Sequence, residues 1–296
     1  MSEGNATASK KVALKTLLQA RPWNEPLRNG AVTSGLLGYD FKPVSEVSDG
    51  FKPMVRDLAY DCGELAIVTF LQAKAYGKPL VLLPFVVSGN FQHKSFAYNA
   101  EKGEMTLSNL AGRRIGVRTY SQTTGVWIRG ILQNDYGADL SKVIWVTFND
   151  AHLAEHVDPE NCERAPAGAK LVPMLLGGEL DGALLGSNMP ADAKLKTLIP
   201  NAEQAAKDWA AKHQIRPINH MFVVTKALCE SRPDLVREIF GMLVKARPAG
   251  ASPFPSGLDA DWKVLDRVSE YAFQQGVIPR RISVDEIFAD AARVLQ

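Results

Sequence analysis

The sequence is short of the features that settle a function at sight. Cysteine is scarce: Cys62, Cys162 and Cys229 are scattered, odd in number and form no CxxC pair. That argues against a disulfide framework and for a reducing compartment. No apolar run reaches the eighteen residues that a membrane-spanning helix needs. The opening MSEGNATASKK is small and polar, without the apolar centre of a signal peptide, so residues 1–11 read as a disordered tail and the expected location is the cytoplasm. Charge of one sign is missing too. The 34 basic and 32 acidic residues leave a net +2, so no field points to a nucleic acid or an anionic membrane, and neither is expected as a partner. No GxxxxGKS/T, no GxGxxG after a strand and no GxSxG is present, which weakens nucleotide-binding and α/β-hydrolase readings. Internal repeats and low-complexity segments are also lacking.

What remains is an ordinary globular composition, 46% hydrophobic and 22% charged. With 296 residues, it suggests two lobes rather than one. Strands and helices alternate. Val12–Leu18, Tyr39–Val44, Asp61–Val68 and the wholly apolar Leu80–Val87 read as strands, the last inside a sheet. Helices are expected through Met54–Ala59 and over Thr69–Tyr76, the latter stopped by Gly77-Lys78-Pro79. Further on, Val143–Val146 and Asn219–Val224 read as strands, and Asp158–Gly168, with two prolines, as a loop. Ala202–His213, Leu235–Ala246, Trp262–Gln274 and Val284–Leu295 read as helices. The alternation points to α/β layering. The expected division is one lobe of residues 12–111 plus 219–296 and a second of 112–218. Two chain crossings then form a hinge, and a ligand lies in the cleft between lobes.

The chain is organised around Leu110–Gly137. Arg114–Arg118 alternates as a strand, and Thr119–Thr124 is a polar turn. An apolar-periodic helix then carries Val126, Trp127, Gly130, Ile131 and Leu132. Ser121, Thr123 and Thr124 are candidate N-caps. A helix start leaves backbone N–H groups unpaired and carries partial positive charge, so it is a natural anion seat, here reinforced by Arg118 and Arg129. The plainer alternative is an ordinary strand-to-helix turn capped by hydroxyls.

Several pieces resemble a known family. Gly63–Gln72 and Gly178–Leu184 look like the acidic turns of type II periplasmic-binding-protein folds. More specifically, Phe91–Ser95, Leu110–Val117, Trp127–Leu132, Met189-Pro190 and Ile218–His220 resemble the 4,5-dihydroxyphthalate decarboxylase family, a cytoplasmic branch of that fold used in phthalate catabolism. The chain departs from the pattern at Arg118-Thr119, where the family usually has proline and an acid. It departs again at Asn188, where an arginine often precedes Met-Pro. The resemblance implies a two-lobed α/β protein that decarboxylates a hydroxylated aromatic acid without cofactor or metal.

Such chemistry needs a cation or N–H cluster for the carboxylates, a proton donor for the ring carbon, and an acceptor for a ring hydroxyl. His93 and His220 are the donor candidates, and Glu64 the group that holds a hydroxyl. Arg118, Gln122, Thr123 and Thr124, with Asn188, would seat a carboxylate; Tyr120 and Trp127 would flank the ring. Each has an ordinary alternative. His220 can be a satisfied structural group and His93 a surface loop residue. Glu64 can cap the following helix or pair with Arg56. Trp127 can be core, and Arg129 can pair with Asp135 at the surface. His152-Leu153-Ala154-Glu155-His156 spells HxxEH, a zinc-hydrolase motif. Two prolines soon follow and no third ligand is evident, so it reads as a decoy. The rival function is a binding protein that closes on a small aromatic carboxylate without chemistry; self-association is left open.

Overall fold

The computed structural model describes residues 11–186, 189–247 and 250–296. The expected tail over 1–11, apart from Lys11, and the candidate Asn188 lie outside these residues. Eleven strands and ten helices alternate through the described residues, beginning with β1 (Val12–Leu17), α1 (Glu25–Arg28), β2 (Leu37–Phe41), α2 (Phe51–Asp57), β3 (Cys62–Ala66) and α3 (Ile67–Ala75). β4 (Leu80–Ser88), β5 (Phe96–Asn99), β6 (Arg114–Val117), α4 (Thr123–Tyr136), β7 (Ile144–Thr147) and β8 (Cys162–Arg164) follow. Next come α5 (Leu171–Leu176), β9 (Gly182–Leu184), β10 (Leu195–Thr197), α6 (Ala202–His213) and β11 (His220–Thr225). The chain ends in α7 (Lys226–Ser231), α8 (Pro233–Ala246), α9 (Lys263–Gln274) and α10 (Val284–Leu295).

Two sheets result. The first has the order β2-β1-β3-β11-β4 and the second β10-β5-β9-β6-β7-β8. β1 runs parallel to β2 and β3, while β11 runs antiparallel between β3 and β4. In β4 the sequence LVLLPFVVS is buried almost throughout, as a strand covered on both faces requires. Its Pro84 is tolerated because β4 is an edge, where a missing N–H costs no ladder bond. One boundary differs from expectation. β5, assigned from sequence to the first lobe, pairs with β9 and β10 in the second sheet. The chain therefore crosses between Ser88 and Phe96 and not near residue 111, then returns before His220.

The C-terminal helices do not stay with the first sheet alone. Tyr271 of α9 packs on Gly130 of α4 so closely that a Cβ at Gly130 would sit 2.1 Å from a ring carbon. A side chain there would force the two helices apart. Gly63 has a similar role in β3. Its φ of +154° is open to glycine, and a Cβ would lie 2.2 Å from the Leu17 carbonyl oxygen. That close approach brings the loop after β1 directly over the next residue, Glu64.

Candidate functional site

The start of α3, which follows β3, and Ile218, just before β11, contact α4, the helix that follows the polar turn after β6. The helix that follows this turn, α4, begins at Thr123 with Gln122 as its N-cap residue, and no side chain caps it. The expected caps Ser121, Thr123 and Thr124 are otherwise arranged. Thr123 Oγ1 accepts a hydrogen bond from the Val68 backbone N–H at 3.2 Å, tying the first turn of α4 to the first turn of α3. The first turn of α4 thus keeps donors unsatisfied by any cap, and carries the positive end of a fourteen-residue helix.

In the middle of β3, Glu64 is wholly buried. It accepts from the Gln19 backbone N–H at 2.6 Å and from Arg21 Nη1 and Nη2 at 2.7 and 2.9 Å. His220 Nδ1 stands 2.8 Å from its second oxygen. Burial pushes the carboxyl up, but hydrogen bonds from His220 and Arg21, and then their charge, outweigh it and hold Glu64 below the usual carboxylate range. Its alternatives from sequence, a helix cap or a pair with Arg56, are excluded by this geometry: Arg56 donates to the carbonyls of Ala151 and His152. With Nδ1 facing a carboxylate, the neutral imidazole carries its proton there, and Nε2 at the part-exposed edge of the ring is left for other partners.

Phe51 lies edge-on to His220, with ring centroids 5.2 Å apart, and edge-on to His152 at 5.5 Å. His152 in turn lines a cavity of about 370 Å³ together with Lys52, Arg118, Thr119, Gln122 and Arg164. Arg118 makes no ion pair among the described residues; the one polar contact of its side chain there is a long 3.5 Å approach to Ser48 Oγ. Lys52 and Arg164 share Asp150, at 3.3 and 2.8 Å. The side-chain Oε1 of Gln122 is buried without a partner, an acceptor open to a hydroxyl or N–H donor. An exposed, unpaired guanidinium beside an uncapped helix start suits a carboxylate.

Other sequence candidates lie elsewhere. Trp127 is wholly buried and its Nε1 donates to the Ile218 carbonyl at 2.8 Å, so it packs between lobes rather than flanking a ligand ring. Tyr120 is turned inward, under the Arg129 guanidinium at 4.0 Å from its ring centroid. Arg129 itself is buried and does not pair with Asp135, which instead binds Trp209, Lys212 and His213. His93 is not a surface loop residue: it is wholly buried against Trp209, with neither ring nitrogen bonded. Burial pushes its imidazole down to about 4, against a smaller opposing pull from Asp135. It belongs, with Thr124, to the wall of a second cavity.

The HxxEH segment is not a helix. His152 Nδ1 bonds Thr69 Oγ1 at 2.8 Å, and His156 faces Asp158 at 3.1 Å. Among the described residues no three potential ligands gather around one point. Sequence reasoning missed Arg21, Lys52, His152 and Arg164 as site residues. Arg21 contacts Glu64 across 43 positions, and His152 meets Thr69 across 83, so no local signal marks them.

No family model matches the chain. A 4,5-dihydroxyphthalate decarboxylase of Comamonas testosteroni is 32% identical over 204 residues, covering 64% of this chain and 60% of the relative. A second, of Pseudomonas putida, is 32% identical over 167 residues, covering 52% of this chain and 64% of the relative. The chain thus spans about three-fifths of the length of the curated relatives it matches, and its resemblance to proteins of that name is established over the matched part. Among solved structures, the periplasmic aliphatic sulphonate binding protein SsuA of Escherichia coli superposes with a TM-score of 0.57 at 10% identity, covering 93% of this chain and 91% of that one. A Candida albicans gene product described as having the generic periplasmic binding protein fold gives 0.53 at 14% identity, covering 95% and 94%. The fold is therefore the two-lobed periplasmic-binding-protein type. Among the described residues no helix is long and apolar enough to cross a membrane.

Proposed function

We propose that this protein is a carboxy-lyase acting without oxidation on a hydroxylated aromatic carboxylic acid of the 4,5-dihydroxyphthalate type. The observation that carries the reading is the Glu64–His220 pair, placed one aromatic ring away from the cavity that Arg118 lines. The names of the two relatives supply the substrate class.

In this reading Arg118, Gln122 and the first turn of α4 hold the carboxylate that the product keeps. A grip on the departing carboxylate would stabilise the ground state and slow the reaction, so the cation belongs on the other one. The ring hydroxyls make the carbon that loses carbon dioxide electron-rich. Its carbon–carboxylate bond breaks, carbon dioxide leaves, and the bonding pair stays on the ring carbon. That carbon takes a proton from Nε2 of the His220 imidazolium. The buried Glu64 carboxylate, hydrogen-bonded at Nδ1, fixes the ring's orientation and leaves Nε2 to face the ring carbon. Solvent at the exposed edge of the ring returns the proton.

The test is incubation with 4,5-dihydroxyphthalate while following 3,4-dihydroxybenzoate and carbon dioxide. Turnover that disappears in His220→Ala, with substrate still bound, is the expected result. Tight binding by the wild-type protein with no product would replace the enzyme by a binding protein. Full activity in His220→Ala would remove that residue as the donor.

A further inference from the structure

On the far side of the Val68–Thr123 contact a second cavity opens, of about 390 Å³. Both chain crossings build it. Asn90 to Ser95 contributes one wall and Arg216 and Asn219 another; α6 closes it with Glu203 and Lys207, and Thr124 brings the first turn of α4 to it from this side. Its polar floor is joined across the hinge. Asn219 Oδ1 accepts from the Asn90 backbone N–H and from Gln92 Nε2, both at 3.0 Å, and Ser95 Oγ donates to Gln92 Oε1 at 3.1 Å.

The charge around this cavity is unbalanced. Lys94, Lys207 and Arg216 line it against one carboxylate, Glu203, and none of the three cations makes an ion pair among the described residues. The guanidinium carbon of Arg216 lies over the Phe91 ring, 4.6 Å from its centroid, and 5.8 Å from that of Phe254. A guanidinium held over an aromatic ring keeps its fork of N–H donors for a carboxylate, and the ring offers a planar surface beside it. In the wall itself, His93 is buried with a donor and an acceptor both unbonded.

We infer that this hinge cavity is a second binding site, separate from the one Arg118 lines, and that it takes a small planar aromatic carboxylate. The ring lies along the Phe91–Arg216 stack, and the carboxylate faces Arg216, Lys207 and the first turn of α4. None of its lining residues is asked to move a proton, and the one element it shares with the proposed reaction is the first turn of α4, which reaches this cavity through Thr124 and the other through Gln122. Because its walls come from both crossings, its occupant bears on the segments that must bend when the lobes move.

Isothermal titration of the full chain with phthalate tests this, using wild type, Arg118→Gln and the double variant Lys207→Gln/Arg216→Gln. The substituted residues are exposed, and thermal unfolding of each variant confirms that it folds. Wild type is expected to bind two phthalates per chain. Arg118→Gln should keep the hinge event, and the double variant should weaken that event at least tenfold while leaving the other. A single event lost in the double variant and unchanged in Arg118→Gln would leave the hinge site standing and remove Arg118 from carboxylate binding. A single event that survives the double variant would overturn the proposal. So would inorganic phosphate competing at the hinge as well as phthalate does, since stacking on a plane would then contribute nothing.

Discussion

Replacing Glu64 by glutamine isolates the pair on which the proposed chemistry rests. The carboxylate accepts four hydrogen bonds, from Gln19 N, both terminal nitrogens of Arg21 and His220 Nδ1. Glutamine keeps one oxygen and turns an NH₂ toward a donor. Breaking one side of a buried ion pair costs about 3–5 kcal/mol. Arg21 and His220 each retain 21% exposure of the side chain, so water recovers part of that. A loss of about 2–3 kcal/mol follows once solvent screening is allowed for. For a chain of this size that corresponds to a fall in melting temperature of roughly 3–5 °C. The dependence on pH carries the sharper test. Because Glu64 is held below its ordinary value in the folded state, its contribution is complete above the unfolded value, near 4.5, and fades as pH falls through the lower folded value. The melting temperatures of wild type and Glu64→Gln, followed by circular dichroism from pH 7 downward, should therefore stay apart to about pH 5 and converge below it. A gap that persists unchanged into strong acid would refute the electrostatic account and leave only packing. No gap at neutral pH would show that the pair contributes nothing net.

Other tests probe separate contacts. Arg118→Ala should weaken an aromatic carboxylate by about 1–2 kcal/mol, measured by titration calorimetry, since the lost bond is charge-assisted but made by an exposed side chain; unchanged affinity would take Arg118 out of the site. Gly130→Ala places a methyl against the Tyr271 ring and should cost about 1–3 kcal/mol in urea unfolding; a neutral result would mean that α4 and α9 separate freely. Zinc addition or chelation should leave the melting temperature unchanged, because His152 and His156 are held by Thr69 and Asp158; stoichiometric zinc bound by both histidines would contradict this.

How far the sequence could be read depended on how local each cause is. α6, α9 and α10 were placed within a residue because amphipathic spacing is a property of consecutive residues. β4 was legible because nothing but a buried strand explains so long an apolar run ending in β-branched residues. β5, β8 and β10 were not, since three or four residues carry too little periodicity and are strands only through their neighbours. The same distinction divides the site. Arg118 and Gln122 follow from a strand, a polar turn and a helix in succession, and both do line a cavity. Tyr120 and Trp127 share that stretch, but a helix or turn has an inner and an outer side, and sequence spacing does not say which one faces the cleft. The clearest case is His152. Its spacing to His156 suggested a metal, yet what it does depends on Thr69, reached only when the second lobe folds against α3. Burial pushes its imidazole down to about 4, with Arg118, Lys52, Arg56 and His220 adding in the same sense. At neutral pH it therefore stands uncharged beside the cations, where it can share hydrogen bonds with an anion without adding to the charge that draws one in.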